Sequence, residues 1–454
     1  MTSQLSIDLQ GDVLRPGDLE YDPARAVFNA MIDRRPLAIL RCRDAADVAR
    51  GIRFAREHDL VLSVRGGGHN VAGSAVCDGG IMLDLSRMRN VHVDPDHRIA
   101  RAGPGLLLGD LDRATQRHGL AVPLGVMSKT GIAGLTLGGG LGWLNGHYGL
   151  ACDNLIGAEV VTAAGELLRV GPDEHADLLW GLRGGGGNFG VVTSFTYRAH
   201  PVGPVLAGGL SYPRAMAADV LRFHDEFIAA APDELATSVS LALDASGAPV
   251  VSIAVCWSGS LDVGAEVLSP LREFGPPAQD TVGPMSFAEF QCVPDAGFPL
   301  GRLHYWKSGY LCRLTDAATG TLLDIAAAMP PGMSGIGLQR LRGAASRVPV
   351  EATAFPHRAE QYDFLILAQW TDPADSDRII AWARDSFGAM RPHLEDAVYV
   401  NNLGTEGPDR IRAAYGRNHR RLAELKHKYD PANVFRLNQN VAPAGPARKS
   451  PPEM

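Results

Sequence analysis

Three consecutive glycines followed directly by a histidine stand in the stretch SVRGGGHNVAG, residues Ser63 to Gly73. The run LVLSV (60–64) is apolar and predicts a buried strand, so the glycines lie in the loop that follows it. Glycine lets backbone N–H groups come close to a ligand, and consecutive N–H groups form a concavity that suits a phosphate. The stretch therefore predicts a phosphate-binding loop that ends in an imidazole.

Two further glycine clusters follow, Leu137-Gly-Gly-Gly-Leu141 and Arg183-Gly-Gly-Gly-Gly-Asn188. No Gly-Lys-Ser/Thr follows any cluster, and the first βα turn lacks Gly-x-Gly-x-x-Gly, which argues against a P-loop and against the usual dinucleotide fingerprint. Glycines can also serve turns alone. Three clusters together favour a large phosphate-bearing ligand, a nucleotide-like cofactor held outside the Rossmann pattern.

Composition and charge narrow the class of protein. A chain of 454 residues is too long for one core, so two or more domains are expected. The net charge of −7, with no basic block, argues against a nucleic-acid or membrane partner. None of the six cysteines forms a Cys-x-x-Cys pair, and the N-terminus lacks the pattern of a signal peptide. We therefore expect a cytoplasmic protein with free thiols and no metal site.

Residue periodicity predicts alternating helices and strands in the first 200 residues. Asp44 is expected to cap a helix that buries Val48, Ile52 and Ala55. One amphipathic helix is predicted over DRIRAAYGRNHRRLAELKHKYDP (409–431), with Ile411, Tyr415, Leu422, Leu425 and Tyr429 on one side. Further predictions are a helix over 106–120, a hairpin over 158–170, and strands at 81–85, 191–199, 237–243 and 250–257.

Four stretches together resemble the FAD-linked oxidases of the vanillyl-alcohol oxidase superfamily, in the berberine-bridge-enzyme-like branch. They are SVRGGGHNVAG (63–73), TGIAGLTLGGGLGWLNGHYGLACDN (130–154), LWGLRGGGGNFGVVTSF (179–195) and YDPANVFRLNQNV (429–441). The resemblance implies an α+β fold, with a two-part PCMH-type FAD-binding domain and a substrate domain of antiparallel sheet covered by helices. The expected boundaries are 1–205 for FAD, 206–395 for substrate, 396–442 for a segment returning to the FAD domain, and 443–454 for a disordered tail.

The resemblance also assigns cofactor residues. His69 matches the histidine that bonds covalently to the methyl group on the flavin's benzenoid ring. Met127 stands where many relatives have a second tether, a cysteine, so a single covalent link is expected. Cys152 is interpreted as a packed residue. The other expected FAD contacts are Arg65, Gly66, Gly67, Gly68, Asn70, Gly73, Thr130, Gly131, Gly134, Leu135, Gly138, Gly140, Asp153, Asn154, Val160, Val161, Asn188, Gly190, Val192, Asn401, Asn438 and Asn440.

The catalytic base is not evident from the match. Gln369 and Asn402 stand where relatives place a glutamate and a tyrosine, and an amide cannot act as a base. Tyr399 is a candidate acid–base if its pKa is lowered, and His304 is either a site residue or a surface residue. In LHYWKSGY (303–310), strand alternation places His304 and Trp306 on one face. The expected substrate contacts are Tyr305, Trp306, Lys307 and Trp370.

The implied reaction is hydride transfer from a small organic substrate to FAD, followed by reoxidation by O₂ to give H₂O₂. The substrate class stays open among a cyclic amine, an alcohol or sugar, and a secondary metabolite. An oxidative tailoring or cyclising enzyme, a dehydrogenase, and a flavin-binding protein without turnover are the alternatives. A homodimer is expected from the habit of the family and of soluble enzymes.

Overall fold

A four-stranded sheet opens the fold and carries the first glycine cluster at its edge. The structure, a computed structural model, describes residues 7–244 and 246–445. The sheet has the order β1-β2-β4-β3, with β1 antiparallel to β2 and with β2 and β3 parallel to β4. Its strands are β1 (Asp12–Leu14), β2 (Ala38–Arg41), β3 (Leu62–Arg65) and β4 (Ile81–Asp84). The first glycine cluster directly follows β3, as the sequence predicts.

A second sheet is antiparallel throughout, in the order β5-β6-β10-β8-β9. Its strands are β5 (Val91–Asp94), β6 (Ile99–Ala102), β8 (Leu155–Val161), β9 (Leu167–Val170) and β10 (Val191–Arg198). The predicted hairpin over 158–170 is confirmed as the β8–β9 pair. A short pair of strands, β7 (Leu120–Ala121) and β11 (His200–Pro201), lies beside it.

An eight-stranded antiparallel sheet dominates the second half of the chain. Its order is β15-β12-β14-β13-β18-β19-β17, and β16 pairs with β12. The strands are β12 (Val205–Pro213), β13 (Leu235–Leu243), β14 (Pro249–Trp257), β15 (Gln279–Asp280), β16 (Gly283–Met285), β17 (Leu303–Leu311), β18 (Gly335–Leu341) and β19 (Gln361–Trp370). The predicted strands at 237–243 and 250–257 are confirmed as parts of β13 and β14.

Helices pack on these sheets. They are α1 (Tyr21–Arg25), α2 (Ala45–Glu57), α3 (Leu108–Gln116), α4 (Ile132–Leu137), α5 (Asn145–Tyr148), α6 (Ala176–Leu182), α7 (Ala217–Ala230), α8 (Leu261–Glu273), α9 (Phe287–Cys292), α10 (Asp316–Ala327), α11 (Ala344–Arg347), α12 (Ser376–Met390), α13 (Pro408–Tyr415) and α14 (His419–Tyr429). The side chains of α7, α8, α10 and α12 share one buried cluster with the large sheet. An antiparallel sheet covered by helices is therefore confirmed for this half of the molecule.

The cap predicted for α2 is confirmed, whereas the helix predicted near the C-terminus is interrupted. The Asp44 carboxylate accepts the N–H of Asp47 at 2.9 Å, which satisfies a free donor at the start of α2. The single helix predicted over 409–431 is wrong, because the chain forms α13 and α14 with a break at Gly416. Gly416 has φ +46°, a left-handed conformation that interrupts helical hydrogen bonding.

The predicted apolar side of that region is nevertheless confirmed. Tyr415, Leu422 and Leu425 belong to one buried cluster with the second sheet, and Ile411 and Tyr429 pack against it. The predicted helix over 106–120 is shorter than expected, because α3 ends at Gln116 and residues 120–121 enter β7. The predicted tail lies outside the described residues from position 446 onward. No described helix is long and apolar enough to cross a membrane.

Candidate functional site

A cavity of about 440 Å³ lies where the three glycine clusters meet the large sheet. Each cluster supplies wall residues: Gly66, Gly67 and Gly68 from the first, Gly138 from the second, and Gly186 and Gly187 from the third. The opposite wall comes from β13, β17, β18 and β19, and a further part comes from residues 399–402, 435 and 437–439. Segments that are far apart in sequence thus enclose one elongated space.

The first glycine cluster packs directly against the segment that leads into α4. A Cβ on Gly67 would lie 2.5 Å from the Cα of Gly131, and one on Gly131 would lie 2.5 Å from the N of Gly67. Contacts this short are not tolerated between non-bonded atoms, so both positions require glycine. The close approach leaves backbone, rather than side chains, on the cavity wall.

His69 contributes an imidazole to the same wall. Its Nε2 is buried and has no hydrogen-bond partner. Its ring stacks on that of Phe28, with the two ring centroids 3.9 Å apart and the planes at 15°. Burial lowers the pKa of His69 to about 4, so the ring is neutral at pH 7 and an unshared electron pair is available for bond formation.

Most of the predicted cofactor residues lie on the cavity wall. They are Gly66, Gly67, Gly68, His69, Asn70, Thr130, Gly131, Gly134, Leu135, Gly138, Gly190, Val192, Asn401 and Asn438. Met127 lies there too, at the position where a second tether would stand. Cys152 is fully buried in a cluster with Leu141, Leu150 and Phe355, which agrees with its interpretation as a packed residue.

The other predicted cofactor residues lie behind the wall, among the residues that the structure describes. These are Arg65, Gly73, Gly140, Asp153, Asn154, Val160, Val161, Asn188 and Asn440. Several have protein partners of their own. Asp153 accepts two hydrogen bonds from the Arg358 guanidinium, at 2.7 and 2.9 Å, and Asn154 Oδ1 lies 2.6 Å from His200 Nε2. Their contact with the cofactor stays a prediction.

Tyr399 lies on the wall, where its hydroxyl oxygen accepts hydrogen bonds from the N–H groups of Gly140 (2.8 Å) and Leu141 (3.2 Å). The Asn401 amide donates to the same oxygen at 2.8 Å. Burial nevertheless raises the pKa of Tyr399 above its ordinary value. This is opposite to the lowering that an acid–base role requires, and the geometry fits a phenol that fixes the second glycine cluster.

The remaining candidate residues on β17 and β19 lie on one or the other face of the large sheet. His304 and Trp306 share the face of β17 that is turned toward Phe28 in the first half of the chain, as the alternation of side chains along a strand predicts. Trp306 lies on the cavity wall. His304 is only 1% exposed, so it is not a surface residue, and it stacks on Phe28 behind the wall.

Tyr305, Lys307 and Trp370 lie on the opposite face of the sheet, away from the cavity. Tyr305 and Trp370 belong to the helix-covered cluster of the large sheet. Lys307 pairs with Glu406 at 3.1 Å, and the indole N–H of Trp370 donates to Ser376 at 3.1 Å. Alternation along β17 and β19 accounts for all three positions, because neighbouring residues of a strand point to opposite faces.

Gln369 and Asn402 have different surroundings. The Gln369 amide, behind the wall, donates to the carbonyls of Gly297 (3.1 Å) and Met333 (2.8 Å). Asn402 lies on the wall and donates to Asp363 Oδ2 at 2.7 Å. Ser308 donates to the other carboxylate oxygen of Asp363 at 3.1 Å.

Asp363 is the site residue that sequence reasoning missed. It lies on the wall beside Leu365 and Leu367 and is 6% exposed. Burial raises its pKa to about 7, although both hydrogen bonds favour the charged form. The available signal was a lone carboxylate in the strand QYDFLILAQW (361–370), two and four residues before wall leucines. A buried carboxyl with a pKa near neutrality can accept a proton from a bound molecule.

Comparisons with known proteins agree with this geometry. The family model "FAD binding domain" matches residues 36–171, and the model "Berberine and berberine like" matches residues 398–442. The crystal structure of 6-hydroxy-D-nicotine oxidase from Arthrobacter nicotinovorans is similar to the whole chain. Its TM-score is 0.90 at 30% identity, over 97% of this chain and 99% of that one. The expected α+β fold, with its FAD-binding part, is thereby confirmed.

Two curated relatives match over almost their full length. An FAD-linked oxidoreductase of Dictyostelium discoideum is 32% identical, over 96% of this chain and 95% of the relative. The (R)-6-hydroxynicotine oxidase of Paenarthrobacter nicotinovorans is also 32% identical, over 98% of this chain and all of the relative. This chain is therefore an enzyme that belongs to the family of FAD-linked oxidoreductases.

Proposed function

We propose that this enzyme is an oxidase with one covalent FAD link, through His69, and with Asp363 as its base. The observation that carries the proposal is the position of both groups on one cavity, His69 at the glycine-rich wall and Asp363 on the large sheet. When bound, FAD accepts the hydride of the substrate and passes the electrons to O₂, giving H₂O₂. The residues of the chain bind the cofactor and the substrate, orient the substrate and remove its proton.

The cavity suits FAD for two reasons. The backbones of Gly67 and Gly131 pack so closely that a Cβ on either would collide with the other, so this part of the wall is bare backbone, the surface a pyrophosphate requires. In addition, buried polar atoms of several wall residues have no partner among the described residues, including His69 Nε2 and Asn438 Oδ1. Buried polar atoms are seldom left unpaired, so these atoms favour a polar ligand. Gly66, Gly67, Gly68, Gly131 and Asn438 would hold the cofactor.

Asp363 would take the proton of a substrate N–H or O–H group while the adjacent carbon loses its hydride. Asn402 and Ser308 hold the two carboxylate oxygens, which fixes the direction of proton transfer. Leu365, Leu367 and Trp306 line the neighbouring wall and exclude water from the reacting atoms. A general base of this kind contributes typically about 10²–10⁴-fold to the rate.

The charges on the wall narrow the class of substrate. Within the described part of the chain, the wall carries one carboxylate, Asp363, and no lysine or arginine. An anionic substrate would therefore be desolvated without a positive partner, which is costly. We propose a small neutral or cationic molecule, an amine or an alcohol. The oxidation of 6-hydroxynicotine by one relative, as its name states, supports the amine.

The proposal is tested by mixing the yellow protein without oxygen with small cyclic amines, alcohols and hydroxy acids. We expect an amine or an alcohol to bleach the visible flavin absorption, and admission of air to restore it with one H₂O₂ per flavin. Bleaching by hydroxy acids alone would contradict the assigned substrate class. Bleaching without reoxidation by air would favour a dehydrogenase.

The covalent link is tested separately by acid precipitation of the wild type and of His69→Ala. Flavin should stay with the wild-type pellet and leave with the supernatant of His69→Ala. Met127, a thioether on the wall, offers no thiolate for a second bond. Retention of flavin by the His69→Ala pellet would therefore contradict the single link.

We also propose that the chain divides into domains after residues 205 and 395, as the sequence suggests. We further propose that it forms a homodimer and is located in the cytoplasm. All six cysteines are unpaired, and four of them are buried, which supports a reducing compartment. Cyclic dimers are the commonest assembly of soluble enzymes. Sedimentation of the purified protein tests the dimer.

A further inference from the structure

A stack of aromatic rings connects His69 to the large sheet. The ring centroid of Phe28 is 3.9 Å from that of His69 and 4.2 Å from that of His304, with the planes at 15° and 21°. Two rings this close and this parallel cannot share one face of a phenyl ring without overlapping. His69 and His304 therefore cover opposite faces of Phe28. Trp306 closes the stack with its edge contacts to Phe28 and His304.

The backbone around Phe28 is fixed on both sides of this stack. The N–H of Phe28 donates to the carbonyl of Gly68 at 3.0 Å, next to His69. Asn29 donates to the carbonyls of Val71 (2.8 Å) and His304 (3.0 Å) and accepts the N–H of His304 at 3.0 Å. The segment that carries Phe28 thus joins the glycine loop to β17, and Phe28 itself is 3% exposed.

The stack supplements the usual means of orienting a histidine. A reactive imidazole is commonly held by a hydrogen bond from its second nitrogen to a carboxylate or carbonyl. No carboxylate or other side chain makes a hydrogen bond to either ring nitrogen of His69 in the described residues, and its Nε2 is buried without a partner. The remaining polar contact of the ring is a hydrogen bond to the backbone of His69 itself, so van der Waals contact with Phe28 is what limits rotation of the ring from outside the residue. His304 also has both nitrogens unpartnered, so it supports Phe28 as a flat surface.

We propose that Phe28, supported by His304, is a positioning residue that holds the His69 ring in one orientation on the cavity wall and so accelerates covalent attachment of FAD. The inference rests on the proposed His69 link. In that step a bond forms between a ring nitrogen of His69 and the carbon of the flavin methyl group. The methyl group loses one hydrogen and the imidazole loses one. Their two electrons and two protons reduce the flavin, and O₂ then removes them as H₂O₂.

The test follows FAD added to the full-length chain produced under riboflavin limitation. Quenching of flavin fluorescence measures non-covalent binding, and acid-precipitable flavin measures the covalent step. Phe28→Ala should slow the covalent step about 10–100-fold, as expected when a reacting group is misplaced by about 1 Å. FAD affinity and melting temperature serve as the structural readouts.

The variants Phe28→Tyr and Phe28→Leu distinguish an effect of aromatic stacking from an effect of side-chain volume. Tyrosine keeps an aromatic face and should restore the rate of attachment, whereas leucine fills the space without one and should leave attachment slow. Phe223→Ala is the control, because Phe223 stacks on Phe274 at 4.3 Å in the helical layer of the large sheet. That variant should attach FAD at the wild-type rate.

Each outcome decides between the two proposals. Wild-type attachment rates in Phe28→Ala, or slowing that only follows weaker FAD binding, would overturn the positioning role and leave the His69 link intact. If Phe28→Ala fails to fold, equal attachment rates in Phe28→Leu and Phe28→Tyr would also overturn the positioning role. Absence of acid-stable flavin in the wild type would instead refute the link itself.

Discussion

At the scale of single residues, Asp363 is subject to opposing influences. Removal of water favours the neutral carboxyl, whereas the hydrogen bonds from Ser308 and Asn402 favour the carboxylate. Desolvation is the larger influence and raises the pKa of Asp363 to about 7. A base with this pKa is deprotonated above neutrality and takes up a proton readily, which suits catalysis near pH 7.

Asp363→Asn is expected to lower the rate of flavin reduction by about 10²–10⁴-fold, because the amide cannot accept the proton. In the wild type, kcat/KM should rise with pH as Asp363 loses its proton, with a midpoint near the pKa of about 7, and then level off. The variant should lose this dependence. Stopped-flow reduction without oxygen, across a range of pH, measures both effects.

Asp112→Asn is a matched control for Asp363→Asn. Asp112 is an equally buried aspartate, and burial raises its pKa to about 8, but it lies away from the cavity wall. The control should keep the wild-type rate at and below pH 7, where Asp112 is neutral in the folded protein and asparagine supplies the same donor. If both variants lose activity alike, the effect comes from altering a buried carboxyl and not from a missing base.

The pKa of His69 leads to a second prediction. Burial is the largest influence and lowers this pKa to about 4, while a hydrogen bond to the backbone of His69 and, to a lesser extent, the negative charge of Asp295 raise it. The neutral ring, which is the nucleophile, is thus already formed well below neutrality. The rate of covalent attachment should then be constant from about pH 6 to pH 8, whereas an ordinary histidine with a pKa near 6.5 would slow it below that value. A midpoint near pH 6.5 in the attachment rate would contradict the burial argument.

At the scale of elements, α14 is connected to the third glycine cluster by a buried ammonium group. Lys426, which is 0% exposed, donates to Asp430 (2.6 Å) and to the carbonyls of Asn188 (2.8 Å) and Phe435 (2.9 Å). Asp430 in turn accepts the N–H groups of Val434 (2.8 Å) and Phe435 (2.9 Å). The charge pair therefore fixes where the chain leaves α14 and reaches the cavity wall.

Lys426→Met should lower the free energy of unfolding by about 3–5 kcal/mol, because it leaves the buried Asp430 carboxylate without its cation. FAD affinity should fall as well, since residues 437–439 on the wall follow directly. Urea unfolding and FAD titration measure the two effects. Arg420→Ala is the control, since Arg420 and Glu424 form a pair of the same spacing in the same helix but in solvent. It should change stability little, and an equally small effect of Lys426→Met would contradict the argument.

Elements with a strong local signal were predictable from the sequence. The cap at Asp44, the β8–β9 hairpin and the alternation of His304 and Trp306 depend on near neighbours in the chain. The face of the sheet on which Trp370 lies, and the position of Asp363 at the cavity, have another origin. Both depend on which side of the large sheet packs against the first half of the chain. That arrangement comes from strand register over long sequence distances, so residues near Asp363 carry only the weak signal of one charge in an apolar strand.

At the scale of the whole molecule, α9 and the turn after it connect the large sheet to the first half of the chain. The carbonyl of Gln291 accepts the N–H of Ser128 at 2.9 Å, and Ser128 donates to Asp295 at 2.6 Å. The Gln291 amide donates to Asp112 on α3 at 3.3 Å. Met127 and Pro294, which neighbour these contacts in sequence, are wall residues. This junction therefore sets the width of the cavity at that end.

Asp112 makes the junction dependent on pH. Asp112 Oδ1 and Gln291 Oε1 both lack partners, and a protonated carboxyl can supply the missing donor. Burial raises the pKa of Asp112 to about 8, against weaker opposing effects of Gln291 and Arg113 and a small rise due to Asp110. Its folded pKa thus lies above the unfolded value. The stabilisation is full below about pH 4 and is lost as pH rises toward about 8.

Asp112→Asn should remove this dependence, because asparagine supplies an N–H donor at every pH. Other groups titrate over the same range, so the informative quantity is the difference in free energy of unfolding between wild type and variant. It should move in favour of the variant by about 1.4 kcal/mol per pH unit between about pH 5 and pH 8, as one proton's linkage requires. Urea unfolding of both proteins at matched pH measures it. A difference that stays constant with pH would mean that the pKa of Asp112 is the same in the folded and unfolded protein, and that the junction does not depend on this proton.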